Sequence, residues 1–257
     1  MKLISLNIWG GKVFAPLMKF IEAHAANTDI FCFQEVFHSS SGPKESHGAR
    51  MNVLDEIIKR LPDFSWYFLP AQDHYVFGDI VDFDIVVGKA IFVRNTIDIE
   101  SEGSEAIYRE TTQDFEKTNI PANLHYLRFF IGDKKITICN FHGMAFPGNK
   151  LDTPQRILQS EKLREFLDGE RGAKILCGDF NLLPNDKSVA LLEEKMTDLI
   201  KKFDIRETRG KLSLYYGTPM AQHFADLMFV SPDVRVLNFA VPDAGVSDHM
   251  PMILDFE

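Results

Sequence analysis

Cysteine is scarce in this chain. Cys32, Cys139 and Cys177 are the only three among 257 residues. Each sits in an apolar, strand-like run, and no pair has metal-ligand spacing. This points away from a disulfide scaffold or a zinc module and toward buried, reduced thiols, with a cytoplasmic location expected. Long apolar runs are missing as well: none approaches the roughly 18 residues that span a bilayer. The N-terminus Met1-Lys2-Leu3-Ile4-Ser5-Leu6 runs straight into a strand-like segment without a small-residue cleavage site, so no signal peptide is read. No repeat, low-complexity tract or linker divides residues 1–257, which read as one domain with no membrane segment and no obligate protein partner. Positive charge is also short: 28 Lys and Arg against 37 Asp and Glu give a net charge of −9. A tight, sequence-independent nucleic-acid binder normally carries a basic excess. A nuclease remains open, because acidic residues gathered around a divalent cation leave the site less negative than the count suggests.

The apolar fraction of 45% and charged fraction of 25% are those of a soluble globular protein. Strand-like runs cover Lys2 to Ile8, Asp29 to Phe33, Phe64 to Leu69, Lys89 to Arg94 and Ile97 to Ile99. Further runs cover Asn123 to Ile131, Lys135 to Asn140, the stretch before Asp179, Phe224 to Val230, Val234 to Phe239 and Met252 to Phe256. Gly132-Asp133 is a hairpin turn. Helical spacing appears in Val13, Leu17, Phe20, Ile21 and His24, and again from Met51 to Leu61. A third helix opens at Pro154, capped by Asp152 or Thr153, and runs to about Leu167; a fourth covers about Asp186 to Lys195. His24 reads as a packed core histidine. Phe37 to Arg50 is expected to be a loop, and Glu100 to Lys117 is acidic and irregular. Strands and helices alternate irregularly, which predicts an α/β domain of two packed, mixed sheets with helices outside.

The most informative stretch is Lys174-Ile175-Leu176-Cys177-Gly178-Asp179-Phe180-Asn181. On extended backbone, side chains two apart point the same way, so Asp179 and Asn181 share a face while Phe180 turns inward. A carboxylate that takes a proton beside an amide that holds an oxygen suits attack on phosphorus. An ordinary Asx turn uses the same residues, so the other strand ends matter. Asn7, Glu35, Asn140 with His142, and Asp226 are polar groups at or in apolar runs, and Asp248-His249 precedes the last strand. Singly, each has a structural reading: a solvated strand end, a buried loop cap, a histidine satisfying a carbonyl.

Taken in order, Leu6-Asn7, Gln34-Glu35-Val36, Asn140-Phe141-His142, Gly178-Asp179-Phe180-Asn181 and Ser247-Asp248-His249 resemble the endonuclease/exonuclease/phosphatase superfamily. That group contains deoxyribonuclease I, exonuclease III-type repair enzymes and neutral sphingomyelinases. The resemblance implies a deoxyribonuclease I-like, four-layer sandwich of two mixed β-sheets flanked by helices. It also implies a Mg²⁺- or Mn²⁺-dependent phosphoesterase. Glu35 is then expected to be the main metal ligand, with Asn7 beside it and Asp248 assisting. Asp179 orients or deprotonates the attacking water, and Asn181 holds that water or a phosphate oxygen. His249 contacts the scissile phosphate, Asp226 fixes its ring, and His142 is a second donor. Relatives often read Arg-Ile-Asp-Tyr around the buried aspartate, where this chain has Phe224-Ala225-Asp226-Leu227. They also often place a further phosphate contact in the middle strands, with Tyr108, Arg109, Asn119 and Asn123 as alternative counterparts.

The substrate is less legible. Lys150 and Arg156 flank the start of the helix after His142 and are candidates for a flanking phosphate, although Arg156 equally suits a solvated helix face. Arg209, Lys211, Tyr215 and Tyr216 form either a base-stacking surface or ordinary packing. No hydrophobic insertion for a lipid surface and no basic arm for duplex DNA is present. The leading expectation is hydrolysis of a phosphodiester by direct water attack, with a nucleic acid or nucleotide ahead of a lipid headgroup or small phosphodiester (sphingomyelinase-like or inositol-phosphatase-like). An inactive binding module of the same fold and a paired-carboxylate glycosidase are remoter readings.

Overall fold

A computed structural model describes residues 1–108 and 121–257. Along the chain, β1 (Lys2–Asn7) leads through α1 (Phe14–Ala25) to β2 (Ile30–His38). A small hairpin, β3 (Glu45–Ser46) and β4 (Ala49–Arg50), precedes α2 (Val53–Ile58) and β5 (Phe64–Asp73). A second small hairpin, β6 (Tyr75–Val76) and β7 (Asp79–Ile80), leads to β8 (Val86–Arg94) and β9 (Ile99–Tyr108). Then come β10 (Ala122–Ile131), β11 (Lys134–His142), α3 (Pro154–Gly169), β12 (Ala173–Asp179) and α4 (Lys187–Glu193). The chain closes with β13 (Thr197–Asp198), α5 (Leu199–Lys202), β14 (Asp226–Val230), β15 (Val236–Ala240) and β16 (Met252–Phe256).

The large strands form two six-stranded mixed sheets, β15-β16-β1-β2-β8-β5 and β13-β14-β12-β11-β10-β9. Each holds one parallel pair near its middle, β1 with β2 and β11 with β12. Parallel neighbours need a crossover; α1 supplies it in the first sheet and α3 in the second. The strand period of two divides the side chains of the first sheet between two cores. Leu3, Ile30, Cys32, Ile91 and Val93 belong to the cluster that holds the second sheet. Ile4, Phe31, Phe33 and Phe92 pack outward with Leu17 and Ile21 of α1 and Leu54 and Ile57 of α2. β1 and β2 are therefore apolar on both faces. The three cysteines are free and buried. Among the described residues, no helix is long and apolar enough to cross a membrane.

Two expectations need correction. Residues 37–50 are not all loop: β2 continues to His38, and the β3–β4 hairpin follows. Nor is the acidic stretch after Ile99 irregular throughout. Ile99–Tyr108 is an edge strand paired to β10, and its partly exposed pattern lets glutamates face solvent, as suits an edge. Arg109 and Asn119 lie outside the described residues.

Candidate active site

The parallel pairs aim their C-terminal ends at the same place. β1 delivers Asn7 and β2 delivers Glu35, while β11 ends on His142 and β12 on Asp179. Register then sets a row across the second sheet. His142 pairs with Asp179 between β11 and β12, and Asp179 pairs with Asp226 between β12 and β14. Two local devices aim the carboxylates. Gly178 adopts φ 139, and a Cβ there would lie 1.9 Å from the Phe141 carbonyl oxygen, so only glycine lets the strands close at this point. In β2 the register slips between Phe33 and Val36, so that Gln34 and Glu35 together oppose Lys89. At this bulge Glu35 takes φ 53, a left-handed conformation that costs a non-glycine residue about 1–3 kcal/mol. The slip frees Gln34 to donate from Nε2 to Asn140 Oδ1 at 2.7 Å within the inter-sheet layer. Asn181 and Lys150 also hold positive φ, 54 and 59.

Asn7 binds the two halves of the site together. Its Nδ2 donates to Glu35 Oε1 and to Asp179 Oδ2, both at 2.9 Å. The Trp9 N–H donates to Asn7 Oδ1 at 3.0 Å, which fixes that amide orientation. Asn7 thus offers its N–H₂ to the carboxylates, whereas a ligand role requires its oxygen. Asp179 Oδ2 is 3.7 Å from both His142 Nε2 and His249 Nε2. Its Oδ1 accepts the Asn181 N–H at 3.0 Å. Burial alone would raise the Asp179 carboxyl, but His249, His142, Lys150 and Arg209 around it hold it well below the usual range.

His249 donates from Nδ1 to Asp226 Oδ2 at 2.8 Å, and both side chains are buried. Burial and Arg209 disfavour the imidazolium, but Asp226, Asp248 and Asp179 outweigh them and raise its pKa. Asp226 is itself raised, chiefly by burial, with His249 opposing. His142 differs: burial pushes it down to about 4, so it is a neutral imidazole at pH 7. Asn181 has both ends of its amide engaged. Its Oδ1 accepts from Lys150 Nζ, and its Nδ2 donates to the Gly143 carbonyl at 3.3 Å.

The other expected residues fall in different places. Asp248 accepts from Arg209 Nη2 at 2.7 Å rather than facing Glu35 alone. Ser247 Oγ donates to the Asn7 carbonyl at 2.7 Å, tying this loop to β1. Arg156 is a correction: it reaches neither solvent nor the site. Its buried guanidinium donates to the carbonyls of Leu151, Met144, Ala145 and Pro147, shaping the loop that carries Lys150. Asn123 lies one residue before the Leu124–Phe141 pair, on the strand beside His142. Tyr108 ends β9 opposite Ala122. His24 donates from Nδ1 to the Phe20 carbonyl at 2.9 Å, as a structural histidine does.

Two cations join the site although the sequence assigned neither a catalytic role; Arg209 reads there only as part of a base-stacking or packing surface. Arg209 pairs backbone to backbone with His249, which places its Nη1 against His249 Nε2 as well as its Nη2 on Asp248. The long run before β14 concealed this, because the partner segment lies about forty residues away. Lys12, in the turn after β1, feels the charges of Glu35 and Asp248. No periodicity or motif marked it.

The donor set fits a divalent cation. Ligand atoms of Glu35, His142 and Asp179 all lie within 4.8 Å of one another. Glu35 Oε2 is buried without a hydrogen-bond partner. Burial, then Asp248, pushes the Glu35 carboxyl up to about 7, as expected for a carboxylate short of a positive partner. Carboxylate oxygens suit Mg²⁺ or Mn²⁺ better than imidazole does, so Glu35 and Asp179 are the natural holders. His142 then stands beside them as a donor.

The family model described as Endonuclease/Exonuclease/phosphatase family matches residues 4–249. Solved structures of the same fold include an endonuclease/exonuclease/phosphatase family protein from Leptotrichia buccalis, with TM-score 0.72, 18% identity, and coverage of 100% of this chain and 99% of that one. The mannosyl-6-phosphatase of Bacteroides thetaiotaomicron superimposes with TM-score 0.68 at 20% identity, covering 100% and 99%. A D. rerio TDP2 humanized by 14 mutations gives 0.69 at 15%, covering 100% and 98%. At these identities the likeness is one of fold. No curated protein sequence matches the chain.

Proposed function

The chain belongs to the endonuclease/exonuclease/phosphatase family, a family of phosphoester hydrolases, and from that premise we propose that it is a Mg²⁺- or Mn²⁺-dependent phosphodiesterase acting on a nucleotide or a nucleic acid by direct water attack. One observation carries this reading: Asn7 holds Glu35 of the first sheet and Asp179 of the second at 2.9 Å each, directly beside the Asp226–His249 pair. A cation held by Glu35 and Asp179 supplies neutralisation of the phosphoryl oxygens.

The remaining work falls to the chain's own groups. Asp179 stays ionised and is a weak base, so it orients a water first and takes its proton as attack proceeds. His249, its pKa raised by three carboxylates, donates from Nε2 to a phosphate oxygen once that oxygen takes the place of Arg209 Nη1 at Nε2, while Asp226 fixes its tautomer. Neutral His142 offers a single N–H to a second oxygen. Arg209 and Lys150 add positive charge on the same side, and charge-assisted bonds of this kind are the strong ones. The whole is positioning plus stabilisation of charge developing at phosphorus. A reducing compartment such as the cytoplasm suits the three free thiols.

A substrate panel with Mg²⁺ or Mn²⁺ tests the reading: single- and double-stranded DNA, abasic DNA, RNA, a cyclic nucleotide, sphingomyelin, an inositol phosphate and a hexose phosphate. Turnover confined to the last three would overturn the nucleotide assignment while leaving the hydrolase intact.

A further inference from the structure

A cavity of about 200 Å³ opens from the catalytic end of the sheets toward the β6–β7 hairpin, and none of the roles above uses it. Glu35 and His142 line it on one side, so it adjoins the place where a phosphate would sit. The other walls are aromatic: Phe37 from β2, Tyr75 and Phe77 from the hairpin, and Phe146 from the loop after β11. Phe37 and Phe77 meet edge to face, with ring centroids 5.3 Å apart at 81°. The Lys12 ammonium lies 3.9 Å from the Phe77 ring centroid, which brings a cation to the rim.

We propose that this cavity is a subsite for one aromatic ring of the substrate, the nucleobase next to the scissile phosphate. The inference rests on the phosphodiesterase reading and deepens it. The cavity is smaller than the roughly 300–1,000 Å³ of a site for a whole drug-sized ligand, so it takes a part of the substrate and not all of it. A sugar would bring hydroxyls that need partners. The polar groups of the wall, Glu35, His142 and the Tyr75 hydroxyl, are few, and Phe37, Phe77 and Phe146 offer a sugar no partner. An acyl chain needs a long channel, whereas this cavity holds about 200 Å³. Base-on-aromatic stacking is tolerant of sequence because every base has a π-face. It also requires an unstacked base, so the preferred substrate is a short or single-stranded nucleotide and not a duplex. The net charge of −9 points the same way, since extended duplex binding draws on a basic surface.

The test compares kcat/KM in Mg²⁺ for a dithymidine phosphodiester and for two analogues in which one base, 5′ or 3′ of the phosphate, is replaced by hydrogen. Removing one of the two bases should lower kcat/KM about 5- to 150-fold, the usual contribution of one stacked base. Phe77→Ala should abolish most of that difference. Phe146→Ala, at a residue 45% exposed, should reduce it too, and this variant keeps the test decisive if Phe77→Ala fails to fold. Cleavage of all three substrates at equal rates would overturn the subsite and leave the activity standing. The subsite would also fall if both variants slowed intact and base-free substrates by the same factor. Cleavage of none of the three, with turnover of another phosphoester, would overturn the nucleotide reading and the subsite together.

Discussion

Replacing Asp226 by Asn should separate the positioning of His249 from the chemistry at phosphorus. The carboxylate accepts the His249 Nδ1–H at 2.8 Å, with side chains only 2% and 4% exposed, so little solvent screens the bond. A charge-assisted hydrogen bond contributes about 1.5–3 kcal/mol. If all of that is felt in the transition state, the rate should fall about 10- to 150-fold. The pH profile should move as well. His249 is held up because Asp226, Asp248 and Asp179 together outweigh burial and Arg209. Removing Asp226 lowers the His249 pKa, so the high-pH limb of the rate profile should shift to lower pH. Stability should behave differently. Burial raises the folded Asp226 carboxyl above its unfolded value, so its contribution is complete below the unfolded value and is lost as pH rises through the folded one. Above that window asparagine avoids burying a charge, and little stability should be lost at neutral pH. The assay is a pH–rate profile of Asp226→Asn, His249→Ala and the double variant. If the pair acts as a unit, the double variant should be scarcely slower than His249→Ala. Multiplicative losses, or an unmoved limb, would refute the positioning role.

Arg156→Ala should destabilise the fold by several kcal/mol, since buried carbonyls lose charged donors that contribute about 1.5–3 kcal/mol each. It should also slow turnover by loosening the loop that carries Lys150; denaturant melts within about 0.5 kcal/mol of the parent would contradict this. Metal binding should weaken as pH falls below about 7, because protons compete for Glu35, and calorimetric Mn²⁺ titrations from pH 5.5 to 8 would show it. The metal-free protein should lose stability as pH rises from about 4.5 through about 7, since the raised folded pKa of Glu35 favours its protonated form. Added metal should reverse that slope. Gly178→Ala should yield little folded protein, since its Cβ would meet the Phe141 carbonyl at 1.9 Å; a normal melting curve would argue against that packing.

The apolar strands were legible because strands buried on both faces read as apolar runs, and those runs end at the residues that meet in the site. Asp179, Asp226 and His142 share one row because register carries strand ends across a sheet, and that much follows from the sequence pattern. Glu35 could be found by its motif, but not its bulge: a register slip depends on β8, more than fifty residues away. Arg156 was misread because a charged residue at a helix start usually faces solvent, and its carbonyl partners come from a loop with no periodic signal. Arg209 and Lys12 reach the site through turns, where side-chain direction is set by the tertiary fold. The edge strand β9 was hidden by its glutamates, which make an exposed strand look like a loop.

The most direct test is the rate of phosphodiester hydrolysis by the parent protein and by Glu35→Gln, each with Mg²⁺ or Mn²⁺ and again in excess chelator. The account predicts turnover by the parent with metal, its loss in chelator, and a folded Glu35→Gln protein that is slow even with metal. Full parental turnover in excess chelator, or a Glu35→Gln protein as active as the parent, would contradict it.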